Sequence, residues 1–196
     1  MLARNRTDVG RELPPVTRVV QTVEVNRHAL DAIKDSIVDL ARQLLHGQFV
    51  ERGMAARAID MRMRQATGIA KAPHVAEFAE AMLEQEGKLV LFCWHKEVYE
   101  ILRLKLARFR PVLYMGDQSP AQKVEAKRRF MITDPDSPER SDVLLMSLRS
   151  APGLDGLQDA CSACLYAELD WSPAVHIQCT GRIQRDRSDG QENKVL

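Results

Sequence analysis

The sequence predicts an α/β protein whose parallel sheet is covered by helices on both faces, preceded by a helical N-terminal extension. Two observations carry this. Short, unbroken apolar runs alternate with stretches of helical period after Gly87, and uninterrupted apolar strands are the mark of a sheet buried on both sides. Before Gly87 the apolar residues recur only at helical spacing. At 196 residues, with 45% hydrophobic and 28% charged residues, the chain can bury a core. A net charge of +1 makes it no obvious polyanion binder as a whole. No apolar run approaches the ~18 residues of a membrane span and no signal-peptide core is present, so a soluble, intracellular (cytoplasmic) protein without a membrane partner is expected.

In chain order, "HALDAIKDSIVDLARQLLHG" sets Leu30, Ile33, Ile37, Leu40, Leu44 and Leu45 at helical spacing, with Gly47 as a stop. "MAARAIDMRMRQATG" predicts a second helix ending at Gly68, with Met54, Met61 and Met63 as core filling. "PHVAEFAEAMLEQEG" predicts a third, from Pro73 to Gly87, by the Pro-first, Gly-last asymmetry of helices. The strands are "KLVLFCW", "PVLYMG", "DVLLMS" and "CLYAELDW". Between them lie the helices "EVYEILRLKLARF", then "SPAQKVEAKRRF" capped by Ser119 with Pro120 first, and after the last strand "SPAVHIQCTGRIQ" starting at Ser172 and Pro173. "TDPDSPERS" reads as a surface loop, and a further strand is expected to begin at "NKVL".

Ligands of such sheets sit at the carboxyl ends of the strands. The segments there are "HKE", "GDQSP", "LRSAPGLDG" and "WSPAVH", all small or polar. Beyond the last, Arg182 and Arg185 stand three apart, so on a helix they would project from one side. Guanidinium pairs suit phosphate, although the same residues also suit a solvated helix end pairing with Asp186 or Asp189. The sequence holds no G-x-x-x-x-G-K-[ST] loop to cradle a triphosphate. Cys161, Cys164, His176 and Cys179 have spacing that resembles a zinc site, but Cys164 opens a run that reads as a buried strand and His176 and Cys179 fall on the next helix, so buried free cysteine is the simpler reading; no metal is expected.

Six segments together carry a family resemblance. "QCTGRIQR" resembles motif VI (Q-x-x-G-R-x-x-R) of superfamily-two helicases, and "SLRSAPGLDGLQDA" resembles motif V of their Swi/Snf-type branch. "KLVLFCWHKEVYEIL" is similar to motif IV, "PVLYMGDQSPAQKVEAKRRF" to the segment after it, and "ELDWSPAVHIQ" to the link from motif V to motif VI. "RNRTDVGRELPPV" is similar to the stretch where that family leaves its first motor lobe.

The resemblance implies a three-layer RecA-like fold, the second lobe of a P-loop-type ATPase. Residues 1–86 would be an inter-lobe segment and 87–196 the RecA-like helicase C-terminal domain. It implies the C-terminal half of an ATP-dependent DNA translocase or helicase. ATP with Mg2+ would lie in a cleft shared with an N-terminal RecA-like lobe that supplies the phosphate loop and magnesium carboxylates. On this reading Arg185 is the first choice for the arginine finger, with Arg182 orienting the helix or sharing the γ-phosphate and Arg187 competing for the role. Gln178, Gly153 and Asp155 would border the nucleotide or the opposing lobe. Sequence-independent contact with duplex DNA would come from His95, Lys96, Gly116, Ser119, Lys123, Ser147, Arg149, Ser150 and Trp171, groups that hold phosphates without reading bases. A chain with these residues and no phosphate loop should not hydrolyse ATP alone. A non-catalytic nucleic-acid-binding or partner-binding module, and a zinc or redox protein, are the alternatives.

Overall fold

A computed structural model describes residues 16–23, 27–31, 33–150, 154–184 and 193–195. Among these residues six strands form one sheet in the order β1-β6-β5-β2-β4-β3, and every pairing is parallel. They are β1 (Val16–Arg18), β2 (Leu89–Cys93), β3 (Val112–Tyr114), β4 (Val143–Ser147), β5 (Ala163–Tyr166) and β6 (Asn193–Val195). Helices α1 (Arg27–Asp31), α2 (Lys34–His46) and α3 (Phe49–Glu86) precede β2, while α4 (Lys96–Lys105), α5 (Pro120–Met131) and α6 (Pro173–Thr180) follow β2, β3 and β5.

The central strands explain the unbroken apolar runs. Every residue of β2 and β4 is buried. Successive side chains of a strand face opposite sides, so Leu89, Leu91 and Cys93 enter one core with Val143 and Leu145, against α3 and α4. Val90, Phe92, Leu144 and Met146 enter a second core with Phe130 of α5 and Cys179 of α6. Burying one such side chain contributes about 1.5–3 kcal/mol. The result is a helix–sheet–helix sandwich, the predicted three-layer α/β architecture.

The local stops and starts follow the sequence signals. Ser119 caps α5 through a reciprocal box: its hydroxyl accepts the Gln122 amide at 3.3 Å and the Gln122 side chain accepts the Ser119 amide at 2.9 Å. Gly87 ends α3 at φ 73°, a left-handed angle that suits glycine.

The helical region before β2 differs from expectation in two ways. Where the spacing predicts two helices, one ending at Gly68 and one starting at Pro73, a single 38-residue helix runs through both. A proline inside a helix costs about 3 kcal/mol. Here the turn is held against the sheet by Ala72, Val75, Ala76 and Ala79, buried in one core with Leu89, Leu91 and Val143, and the small alanines let the helix approach closely. The three methionines are the second difference. Met54, Met61 and Met63 are exposed rather than core-filling, because α2 covers only part of the first half of α3 and the sheet lies against its second half. No described helix is long and apolar enough to cross a membrane.

Candidate nucleotide and nucleic-acid interface

The predicted site residues on the described part of the chain gather at the carboxyl edge of β2, β3, β4 and β5 and in the turn after α6. Gly153 and Arg185, and with them Arg187 and most of the N-terminal "RNRTDVGRELPPV" stretch, lie outside the described residues.

The segment after α6 holds Arg182, the one arginine of the predicted pair among the described residues. The helix ends at Thr180 with Gly181 as its cap, so Arg182 sits in the following turn rather than on the helix itself. Its Nη1 donates to the Leu154 carbonyl at 3.3 Å and to Asp155 Oδ1 at 3.0 Å, with the Arg182 side chain 18% exposed and that of Asp155 66%. Arg182 and Asp155 are thus brought together across the sheet top. Gly156 next to them has φ 88°, a conformation that L side chains resist, and this turns the chain into the short helix Leu157–Asp159. Gln178 is exposed on the outer face of α6. The inner face is anchored: Cys179 Sγ contacts the Leu148 carbonyl at 3.3 Å, and the Tyr166 hydroxyl meets Thr180 Oγ1 at 2.9 Å and the His176 carbonyl at 3.0 Å. Burial pushes the Cys179 thiol up to about 12, so it stays a neutral, unreactive group.

The four zinc-like positions are engaged separately. Cys161 Sγ donates towards the Lys88 and Ala163 carbonyls, Cys179 towards Leu148, and His176 Nε2 meets the Asp170 backbone at 3.0 Å. Burial raises Cys164 well above the usual thiol range. Among the described residues no three His, Cys, Asp or Glu side chains are grouped to hold a metal.

Polar and basic groups line the remaining strand ends. After β2, His95 caps α4 and Lys96 pairs with Asp117 at 3.0 Å, which holds the Asp117 carboxyl below its ordinary range. After β3, Lys123 reaches back to the Gly116 carbonyl at 3.5 Å and lies over the Tyr114 ring. After β4, the Ser150 amide bonds the Ser147 carbonyl at 3.0 Å and presents Arg149 outward. Arg149 Nη2 donates to Asp170 at 3.2 Å while its guanidinium stacks over Trp94 at 5.1 Å. The Ser172 amide and then Arg149 hold the Asp170 carboxyl low, although burial pushes it up. After β5, Trp171 is 74% exposed, its Nε1 donating to Asp60 at 3.2 Å.

One residue that the spacing arguments pass over organises this edge. Glu168, 4% exposed, accepts the amides of Trp94 at 2.7 Å and His95 at 2.9 Å on one oxygen and meets His95 Nδ1 at 2.5 Å with the other. It locks the turn after β2 to the turn after β5. Gly68 of α3 makes room for it: a Cβ there would stand 2.7 Å from Glu168 Oε1 and 3.0 Å from Val98 Cγ2. The signal was present in "CLYAELDW", because a carboxylate inside a buried apolar run must be paired.

A parallel sheet with this order, helices on both faces and a guanidinium-bearing turn beyond the last helix of its carboxyl edge defines a RecA-like lobe. Comparison with solved structures agrees. The chain is similar to the C-terminal part of the Fun30 ATPase domain, with a TM-score of 0.67 and 11% identity over 94% of this chain and 84% of that one. It is similar to the Sulfolobus solfataricus SWI2/SNF2 ATPase core in complex with dsDNA, with a TM-score of 0.65 and 15% identity, covering 92% of this chain and 40% of that core. A more distant likeness, TM-score 0.50 and 19% identity over 65% of this chain and 32% of that one, joins it to a variant of S. cerevisiae Dbp5 bound to RNA and ADP BeF3. No family model matches the chain. At these identities the likeness is one of fold: the chain has the fold of the C-terminal RecA-like lobe of SWI2/SNF2-type ATPase cores, and it spans well under half of the one complete core compared.

Proposed function

We propose that this chain is the C-terminal motor lobe of an ATP-dependent, DNA-dependent translocase. It would complete a nucleotide site whose phosphate loop and magnesium ligands stand on an N-terminal RecA-like lobe, in cis or in trans. The observation that carries the reading is the coincidence of two groups on one sheet edge. Arg182 and Asp155 pair between the turn after α6 and the loop after β4, and His95, Lys96, Gly116, Ser119, Lys123, Ser147, Arg149, Ser150 and Trp171 stand at or follow the carboxyl ends of β2, β3, β4 and β5. The similar structures support the same direction: one is an ATPase core in complex with dsDNA, another the C-terminal part of an ATPase domain.

In this mechanism ATP with Mg2+ binds between the lobes. The arginines of the turn after α6 neutralise charge building on the transferring phosphoryl group, a contribution worth about 10³–10⁵ in rate for a finger arginine. Arg182 is oriented by Asp155 and the Leu154 carbonyl, so it also ties this turn to the loop after β4. Arg185 is the finger. The DNA-facing groups hold backbone phosphates with amides, hydroxyls and cations, which permits stepping along any sequence.

The test is ATP turnover by the chain alone, with duplex DNA, and with DNA plus a first-lobe polypeptide. Turnover is expected only in the last mixture. Arg185→Ala should lower it by about 10³-fold or more, and Arg182→Ala by a smaller factor. Robust DNA-stimulated turnover by the chain alone would overturn the reading.

A further inference from the structure

Arg64, Thr67, Gly68 and Lys71 recur at three- and four-residue spacing along α3, so they share one face of the helix. That face looks onto Glu168, Leu169, Asp170 and Trp171, and together they line a pocket of about 340 Å³ beside the strand-end groups. None of the α3 residues belongs to the predicted set.

The polar groups of this pocket fall into two kinds. Most are already matched. Glu168 is spent on the Trp94 and His95 amides and the His95 ring. Asp170 is spent on Arg149 and the Ser172 amide. The Thr67 hydroxyl turns back to the Met63 carbonyl at 2.7 Å. Arg64 donates to the Leu169 carbonyl at 2.5 Å and stacks over the Trp171 ring at 5.8 Å, which fixes the guanidinium, and its charge acts on Asp170 from a distance without a close ion pair among the described residues. Lys71 is the exception. It is half-buried and makes no hydrogen bond or ion pair among the described residues. Burial lowers its pKa, and the attraction of Glu168 offsets that only in part. A half-buried ammonium without an acceptor is under-solvated, and an incoming anion relieves that. A fixed guanidinium on the same helix face and an exposed indole at the rim suit an anion attached to a larger, partly apolar chain.

We propose that Lys71, with Arg64 and Trp171, forms a seat for one phosphodiester group of a nucleic acid. The proposal rests on the nucleic-acid reading given above and extends the contact surface from the strand ends onto α3.

Two measurements on the full chain test it. Binding of a labelled duplex is followed by fluorescence anisotropy across a salt series for the wild type, Lys71→Met and Lys71→Arg. Each phosphate neutralised adds about 0.9 to the slope of log affinity against log salt. Lys71→Met should therefore lower that slope by about 0.9 and weaken binding several-fold, and Lys71→Arg should restore both. Separately, reductive methylation of the wild-type chain is read by mass spectrometry with no addition, with duplex DNA and with inorganic phosphate. DNA should protect Lys71 while leaving exposed Lys105 reactive, and this arm stands even if a variant fails to fold. An unchanged slope in Lys71→Met, or equal labelling of Lys71 with and without bound DNA, overturns the seat. Protection by inorganic phosphate but not by DNA also overturns it, because the ligand is then a free anion. If the wild type binds no duplex at all, the nucleic-acid part of the proposed function fails first, and the seat falls with it.

Discussion

Removing the Glu168 carboxylate leaves the part-buried amides of Trp94 and His95 without the acceptor they share. Each orphaned buried donor costs about 1–3 kcal/mol, so Glu168→Ala should lose about 3 kcal/mol in urea unfolding. The same variant frees the His95 ring and should weaken duplex binding beyond what the stability loss explains at temperatures where the chain stays folded. A neutral effect on both would show that the turns after β2 and β5 are held by packing alone. At this scale the sequence was partly legible. Arg182 and Asp155 could be singled out by residue type and motif, but their 3.0 Å contact depends on how the loop after β4 folds over the turn after α6. Lys71 and Arg64 were not legible at all, because nothing in "MRQATGIAK" reveals which face of the helix meets the strand ends.

Helix α3 offers a contrast between two glycines in one element. Alanine is favoured over glycine by about 1 kcal/mol inside a helix. Gly53→Ala meets nothing within 4 Å and should gain close to that amount. Gly68→Ala should instead lose stability, because the new Cβ lies 2.7 Å from Glu168 Oε1 and 3.0 Å from Val98. The carboxylate cannot swing aside without abandoning its three partners. Thermal melts of the two variants should shift in opposite directions, and equal shifts would count against a close contact at Gly68. The elements themselves were largely legible, since the strand cores, the Ser119 cap and the Ser172-Pro173 start follow from local chemistry. The misread junction at Gly68 and Pro73 arose because both residues are punctuation by local rules. Tertiary contact with the sheet overrides them. Strand β1 escaped notice for a related reason: three residues of "VTR" carry no period, and only β6 gives them a partner.

For the whole molecule, Lys88 sets a signature in the pH dependence of folding. It is 5% exposed, and its ammonium donates to the Phe130 carbonyl at 2.6 Å and the Ser141 carbonyl at 2.8 Å. Burial brings its pKa from 10.5 down to about 8. Below pH 8 it is protonated whether the chain is folded or not, and its burial penalty is constant. Between about 8 and 10.5 the folded chain has released a proton that the unfolded chain retains, so this residue's contribution to stability rises with pH. The rise totals about 3 kcal/mol across the window. Cys93 and Cys164, raised by burial, act in the opposite sense above the usual thiol range. The difference between wild type and Lys88→Met isolates the lysine: their stability gap should move in favour of the wild type as pH rises from 8 to 10.5. A flat gap would mean that Lys88 is not held in its buried position.

The sheet order has a further consequence. Among the described residues the first strand pairs with no strand except the last, and the last bridges it to the rest of the sheet. Val16–Arg18 is therefore moored through Asn193–Val195: loosen those three residues and the first strand slips its berth, although every central strand remains in place.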